Sequence, residues 1–149
     1  KLAPFYGCYI VRPSKALGFE ENPGRKQALE EIIETVGGEV VDFPGKTLCC
    51  GFPILTINPE NSVNMVANHT IDAKDRGADA MVTPCPLCHL NLDGYQPNAA
   101  SARKREIDLP IIHLPQLLGL ALGIEPEKMR LNKHIISTKK LLSELAISP

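Results

Sequence analysis

The sequence carries almost no excess of charge of either sign. Sixteen lysines and arginines stand against 17 aspartates and glutamates, a net charge of −1 over 149 residues. Nucleic-acid sites need a clear basic excess, so nucleic acid is not expected as a partner. Long apolar runs are also missing. The longest, Leu109 to Ile124, is broken by Pro110, His113, Pro115 and Gln116. It is too short and too interrupted to span a bilayer and reads as a strand followed by a buried helix. Tryptophan is absent, yet 44% hydrophobic and 22% charged residues are the proportions of a globular, soluble chain, and its length suits one domain with an ordinary core. No repeat or low-complexity segment is seen. No secretory leader is visible either, and Lys1 stands where a methionine would begin a chain, so the sequence is read as part of a longer polypeptide.

Five cysteines are present, at positions 8, 49, 50, 85 and 88. Without secretory features a disulfide framework is not expected. Clustered cysteines then point to metal binding or redox chemistry in a cytosolic setting.

Hydrophobic patterning alternates strand with helix. Pro4 to Val11 reads as a strand. Asn22–Pro23–Gly24 forms a turn, and Arg25 to Val36 has apolar residues at Ala28, Leu29, Ile32, Ile33 and Val36, the spacing of an amphipathic helix. Gly37–Gly38 ends it, and Glu39 to Phe43 is a short second strand. Asn58–Pro59–Glu60 starts a helix that runs to about Arg76 and stops at Gly77. Ala80 to Thr83 is the third strand, and Cys85 opens a helix reaching about Tyr95. The polar stretch Gln96 to Arg105 reads as a loop or loose helix. Leu109 to Leu114 is the fourth strand, Pro115 to Leu122 a helix closed by Gly123, and the tail, Glu125 to Pro149, holds one more helix near Lys139 to Leu145. The expected fold is therefore α/β: a mainly parallel sheet of about four strands flanked by helices.

Ligand crevices of such sheets lie beyond the carboxyl ends of the strands. Cys8 is placed late in the first strand, Cys49 and Cys50 after the second, Cys85 and Cys88 after the third. All five are thus expected at one sheet edge. Thiolates are soft, charged ligands for iron or zinc. Cys85 and Cys88, at CxxC spacing, can hold one metal or adjacent irons at a helix N-terminus that favours the thiolate form. Side chains of the neighbours Cys49 and Cys50 diverge, which suits a multi-metal ligand better than one tetrahedral ion. Gly51 lets the loop bend, and Pro84 and Pro86 stiffen the entry to the last pair. Five thiolates exceed the four of one zinc and the four of an ordinary cubane cluster. The arithmetic leaves an unusual cluster or a spare reactive thiol.

These residues resemble the cysteine-rich "CCG" domain found in the heterodisulfide reductase B chain family and in related components of succinate or fumarate reductases and of glycolate and lactate oxidation systems. The resemblance is carried by Tyr6–Gly7–Cys8–Tyr9 with Arg12–Pro13, by Lys46 with Cys49–Cys50–Gly51, and by Pro84–Cys85–Pro86–Leu87–Cys88–His89 with Asn91–Leu92–Asp93 and Gln96. It continues through Leu109–Pro110–Ile111–Ile112–His113 and Leu117 to Gly123, covering about Pro4 to Ile136. It implies that Cys8, Cys49, Cys50, Cys85 and Cys88 ligate a non-cubane [4Fe–4S] cluster. It also implies an oxidoreductase subunit with two such domains in tandem and a disulfide cleaved between them. This chain, positions 1–149, holds one copy of the C-terminal type, and an isolated copy supplies half of such a site. Expected partners are a second CCG domain, other iron–sulfur or flavin subunits, and a disulfide or other small electron acceptor. The expected location is cytoplasmic, reaching the membrane only through partner subunits. Some relatives of this type bind a structural zinc through their C-terminal domain, and zinc is the alternative cofactor here.

The expected function is electron transfer or disulfide reduction within a larger oxidoreductase. The alternatives are a zinc-stabilised assembly domain of a respiratory reductase complex and a dithiol oxidoreductase built on Cys85–Cys88, which leaves Cys8, Cys49 and Cys50 unexplained. His89 is read either as a hydrogen-bond donor to a cluster sulfur or as a helix-surface residue. His113 is read as a structural histidine, and His69 and His134 as surface residues. Lys46 either offsets thiolate charge or is solvated. Asp42, Glu60 and the run Glu30–Glu31–Glu34 are assigned to the surface, and Arg103–Lys104–Arg105 is too short for a nucleic-acid patch.

Overall fold

In the computed structural model, which describes residues 1–145, three short strands and six helices form an α/β domain. Strands β1 (Leu2–Pro4), β2 (Ala80–Thr83) and β3 (Ile111–His113) make a parallel sheet in the order β1-β2-β3. Leu2 pairs with Ala80 and Pro4 with Val82; Met81 pairs with Ile111 and Thr83 with His113. Because the register is parallel, all three strands end on the same rim.

Side chains alternate across the strands and feed two cores. Ala3, Met81 and Ile111 point to one face, against Val66 and Ala73 of α2 (Pro59–Asp75), Leu92 of α3 (Pro86–Gly94) and Ala99 of α4 (Gln96–Arg103). Leu2, Ala80, Val82 and Ile112 point to the other. There they meet Leu29 and Ile33 of α1 (Ala28–Thr35), Leu117 and Leu120 of α5 (Leu114–Ala121), and Leu141 and Leu142 of α6 (Lys139–Glu144). Both faces of the sheet are covered, as parallel sheets require.

The sheet has three strands rather than about four, and the reasons are local. The expected second strand is reduced to one parallel bridge, Leu2 with Val40. Leu2 N donates to Glu39 O (2.7 Å) and Val41 N to Leu2 O (2.9 Å), and the chain then leaves at Pro44. The expected first strand, Pro4 to Val11, stops early because Gly7 takes φ +70°. Phe5 N still reaches Val82 O (2.8 Å), but Tyr6 N and Gly7 N turn to the Lys46 carbonyl instead of continuing a ladder. The fourth strand is trimmed to Ile111–His113 because both backbone groups of Leu109 are taken by a buried side chain. Gln96 Nε2 donates to Leu109 O (2.8 Å) and Leu109 N donates to Gln96 Oε1 (3.2 Å).

That bond also explains why Gln96 to Arg103 is an ordered helix, α4, and not a loop. The helix foreseen over Arg25 to Val36 begins instead as a 3-10 turn, Pro23–Gln27, before α1. α2 matches its reading closely, with Asn58 Oδ1 accepting from Asn61 N (3.0 Å) as its cap. The tail helix forms as α6, while positions 146–149 of the expected tail and of the expected domain lie outside the described residues. Among the described residues no helix is long and apolar enough to cross a membrane.

Candidate metal centre

The rim at the carboxyl ends of the strands collects the five cysteines. Cys8 lies in the turn after β1, not within the strand as the sequence suggests. Cys49 and Cys50 follow the 3-10 turn Pro44–Thr47. Cys85 occupies the N-cap position of α3, just past β2, and Cys88 lies in its first turn. All five are free thiols.

Their side chains meet in series. Cys49 feels Cys8 and Cys50, Cys50 feels Cys88, and Cys88 feels Cys85. The order of neighbouring thiols is therefore Cys8–Cys49–Cys50–Cys88–Cys85, drawn from three separate stretches of chain. Cys50 and Cys88 are buried, while Cys8, Cys49 and Cys85 are half-exposed.

Backbone and side-chain bonds hold these loops against one another. The Lys46 carbonyl accepts from Tyr6 N (2.7 Å) and Gly7 N (3.2 Å), tying the Cys8 turn to the Cys49–Cys50 loop. The Tyr6 hydroxyl donates to Glu30 and accepts from Leu29 N. Asn91, one turn beyond Cys88, donates from Nδ2 to Cys50 O (2.8 Å) and contacts Ser62 Oγ (3.3 Å). His69 of α2 donates from Nε2 to Cys49 O (2.9 Å). Gly51 takes φ +94°, and a Cβ there would stand 2.9 Å from Ser62 Oγ, so the bend expected at this glycine is real. At Gly7 a Cβ would fall 2.7 Å from Cys88 Sγ. The absence of a side chain at Gly7 is what lets the β1 turn approach the sulfurs so closely.

The thiols differ in acidity because they share protons. A hydrogen bond from Cys88 lowers Cys50 to about 7, against opposing burial. Cys88, donating that bond and buried, is raised. Burial pushes Cys49 up. One thiolate at Cys50, stabilised by its neighbour's S–H, is thus available near neutral pH, and a cation entering the site would displace the shared protons.

The other residues singled out from the sequence divide clearly. The Lys46 ammonium is neither free nor aimed at sulfur; it is held by Glu30 (2.9 Å) and Asp42 (2.6 Å). Glu30, expected on the surface, is half-buried against Tyr6 and Lys46. His113 is structural: Nε2 donates to Pro84 O (3.3 Å), and its backbone N donates to Gln116 Oε1 (3.0 Å) at the start of α5. His89 turns away from the sulfurs, donating from Nε2 to Ile111 O (3.1 Å).

His69 and His134 are not ordinary surface residues. His69 is 6% exposed, and burial lowers its pKa from 6.5. It lies three residues after Val66 and four before Ala73, both buried on α2. That helical spacing is the signal that places His69 on the core face. His134 is half-buried with its ring centroid 4.8 Å from that of His89, and no periodicity in its irregular stretch marks it.

Comparison with known proteins places this arrangement. The model of the CCG family, described as a cysteine-rich domain, matches residues 2–93. An 8-methylmenaquinol:fumarate reductase membrane anchor subunit of Wolinella succinogenes is 39% identical over 141 residues, covering 95% of this chain and 49% of that protein. The B chain of a ferredoxin/F(420)H(2)-dependent CoB-CoM heterodisulfide reductase of Methanosarcina acetivorans is 31% identical over 97% of this chain and 49% of its own length. A protein of Archaeoglobus profundus that is named for its likeness to the heterodisulfide reductase B chain is 32% identical over 83% of this chain and 42% of its own. The chain spans about half the length of the first two of these relatives. It belongs to the CCG cysteine-rich domain family.

Two outcomes are expected. Gly7→Ala should destabilise the reduced, metal-free chain by roughly 2–4 kcal/mol in urea unfolding, combining a positive-φ cost with a clash in a packed site. Gly77→Ala, at φ +90° with nothing within 4 Å, should cost only about 1–2 kcal/mol. Equal losses would show that the approach of Gly7 to Cys88 is not tight. The second outcome concerns pH. Below 6.5 the unfolded chain protonates at position 69 while the folded chain resists. The stability present above pH 6.5 is therefore lost as pH falls. His69→Gln, which keeps a donor for the Cys49 carbonyl, should flatten the urea-midpoint slope between pH 6.5 and about 5; an unchanged slope would contradict the buried neutral imidazole.

Proposed function

We propose that this CCG-family domain is one half of a tandem-domain redox subunit, in which Cys8, Cys49, Cys50, Cys85 and Cys88 hold a non-cubane [4Fe–4S] cluster. The observation that supports it is the convergence of thiols from three separate loops at one rim, where each influences the acidity of the next. Five converging thiols exceed what one zinc takes, and the adjacent Cys49 and Cys50 reach different neighbours, Cys8 and Cys88, as ligands to separate metal atoms would. When bound, such a cluster supplies one-electron chemistry to an oxidoreductase.

The chain's own residues do the positioning. Lys46, through its carbonyl, keeps the Cys8 turn and the Cys49–Cys50 loop in register. Asn91 holds Cys50 by its carbonyl. The hydrogen bond between Cys50 and Cys88 leaves the first thiolate formed at the centre of the series.

The surroundings favour a partner laid over the rim. Tyr9 and Ile10 beside Cys8, Leu48 beside Cys49, and Leu87 between Cys85 and Cys88 are all exposed large apolar residues. Apolar side chains gathered at a polar site suit a contact surface. We assign that surface to a second CCG domain, with other iron–sulfur or flavin subunits beyond it, and place a disulfide or other small electron acceptor between the two halves. Heterodisulfide reductase and fumarate reductase are the activities carried in the relatives' names. Five free thiols suit a reducing, cytoplasmic setting.

A dithiol mechanism at Cys85–Cys88 fits less well. It would use the half-exposed Cys85 and leave Cys8, Cys49 and Cys50, gathered at the same rim, without a role.

Anaerobic reconstitution with iron and sulfide should load about four of each per chain, with a broad visible absorption that Cys50→Ser abolishes. One zinc per chain with no sulfide uptake would overturn the cluster reading in favour of a structural zinc domain.

A further inference from the structure

Further along α3 from Cys85 and Cys88, three potential ligands converge that the cysteine site does not use. His89 and Asp93 stand four residues apart on one face of the helix. His134 comes to meet them from the irregular stretch before α6. One donor atom from each lies within 4.8 Å of the others. Zinc bonds of about 2.0–2.1 Å would set tetrahedral ligands roughly 3.4 Å apart, so the trio needs only a small contraction to close on an ion.

The outer contacts are those that metal ligands have. His89 donates from Nε2 to the Ile111 carbonyl (3.1 Å), which leaves the Nδ1 lone pair free. Asp93 is buried and its carboxylate is oriented by two backbone donors, Ile135 N (2.7 Å) and Ile136 N (3.1 Å). Histidine ligands anchored on a carbonyl and carboxylates fixed by hydrogen bonds are the usual supporting shell of a metal site. The second observation is at His134. Gln116 Nε2 donates to its Nε2 (2.9 Å), so the neutral ring carries its proton on Nδ1. That N–H is buried with no partner at all. A buried donor without a partner is costly, and a cation that takes the proton's place, with Nε2 protonated as the Gln116 amide moves aside, removes that cost.

We propose that His89, Asp93 and His134 form a second metal site, separate from the cysteines, for a borderline divalent cation of the Zn²⁺ type. Two imidazoles and one carboxylate are a recurrent donor set for such ions. The site opens into a cavity of about 380 Å³ that is also lined by Gln116, Arg130 and Lys133. The fourth position therefore takes water or a small anion, which Arg130 and Lys133 favour. Bound there, the cation clamps the segment leading to α6 onto α3, the helix that carries Cys85 and Cys88.

Cadmium-113, a zinc surrogate whose resonance separates thiolate from nitrogen and oxygen ligation, reads this site directly in the full chain. With Cd²⁺ in excess, a nitrogen/oxygen-ligated resonance should appear and correlate with the ring protons of both His89 and His134. His134→Gln should lower the bound cadmium by one per chain while leaving any thiolate-ligated resonance in place. Absence of a nitrogen/oxygen resonance in the unmutated chain, or one that correlates with neither ring, overturns the proposal without recourse to any variant. The thiolate resonance is recorded separately, so loss of either signal speaks to its own site alone.

Discussion

Parallel pairing of β1 with β2, extended on the other side of β1 by the single Leu2–Val40 bridge, turns the three cysteine-bearing loops to one rim, and the cysteine site depends on that geometry. An antiparallel neighbour would send one of the loops to the opposite edge. The strands are only three or four residues long, so the ladder alone does not fix the loops beyond it. The Lys46 carbonyl completes the work by accepting from Tyr6 and Gly7 where the β1 ladder ends. The glycine conformation that breaks the strand is the same one that brings the chain within reach of Cys88. Strand termination and site assembly are one event.

Burial then gives the thiols their character. Cys50 and Cys88 sit among core residues such as Phe5, Phe43 and Met81, where an isolated thiolate would be unfavourable. A shared proton relieves this, lowering one thiol and raising the other. The lysine near the loops is taken up by two carboxylates in the Glu30–Lys46–Asp42 group and is not aimed at sulfur. The site is left to sulfur and backbone groups, a soft surround.

Much of this was legible in the sequence where a signal is local. Asn58–Pro59 and Gly77 bracket α2, the Ala80–Thr83 strand is read to the residue, and the strand–helix alternation brings the five cysteines to one edge. What was hidden depends on tertiary contacts. Phe5 to Val11 is apolar enough to read as strand, and its turn rests on the positive φ of Gly7 together with the contact to the Lys46 carbonyl. Gln96 looks like loop material until its amide is seen to bridge Leu109. His69 lay within reach of helical periodicity. Lys46 and Glu30 find each other across 16 residues, which no pattern announces. His134 belongs to a stretch with no period, and its meeting with His89 and Asp93 is visible only in three dimensions.

The central claim is that thiols from three separate loops converge in series, and controlled oxidation of the reduced, metal-free chain tests it most directly. Peptide mapping should recover Cys8–Cys49 and Cys50–Cys88 disulfides, each joining segments about 40 residues apart, with Cys85 left as the remaining thiol. Recovery of only the local pairs Cys49–Cys50 and Cys85–Cys88, with Cys8 unpaired, would contradict the convergence.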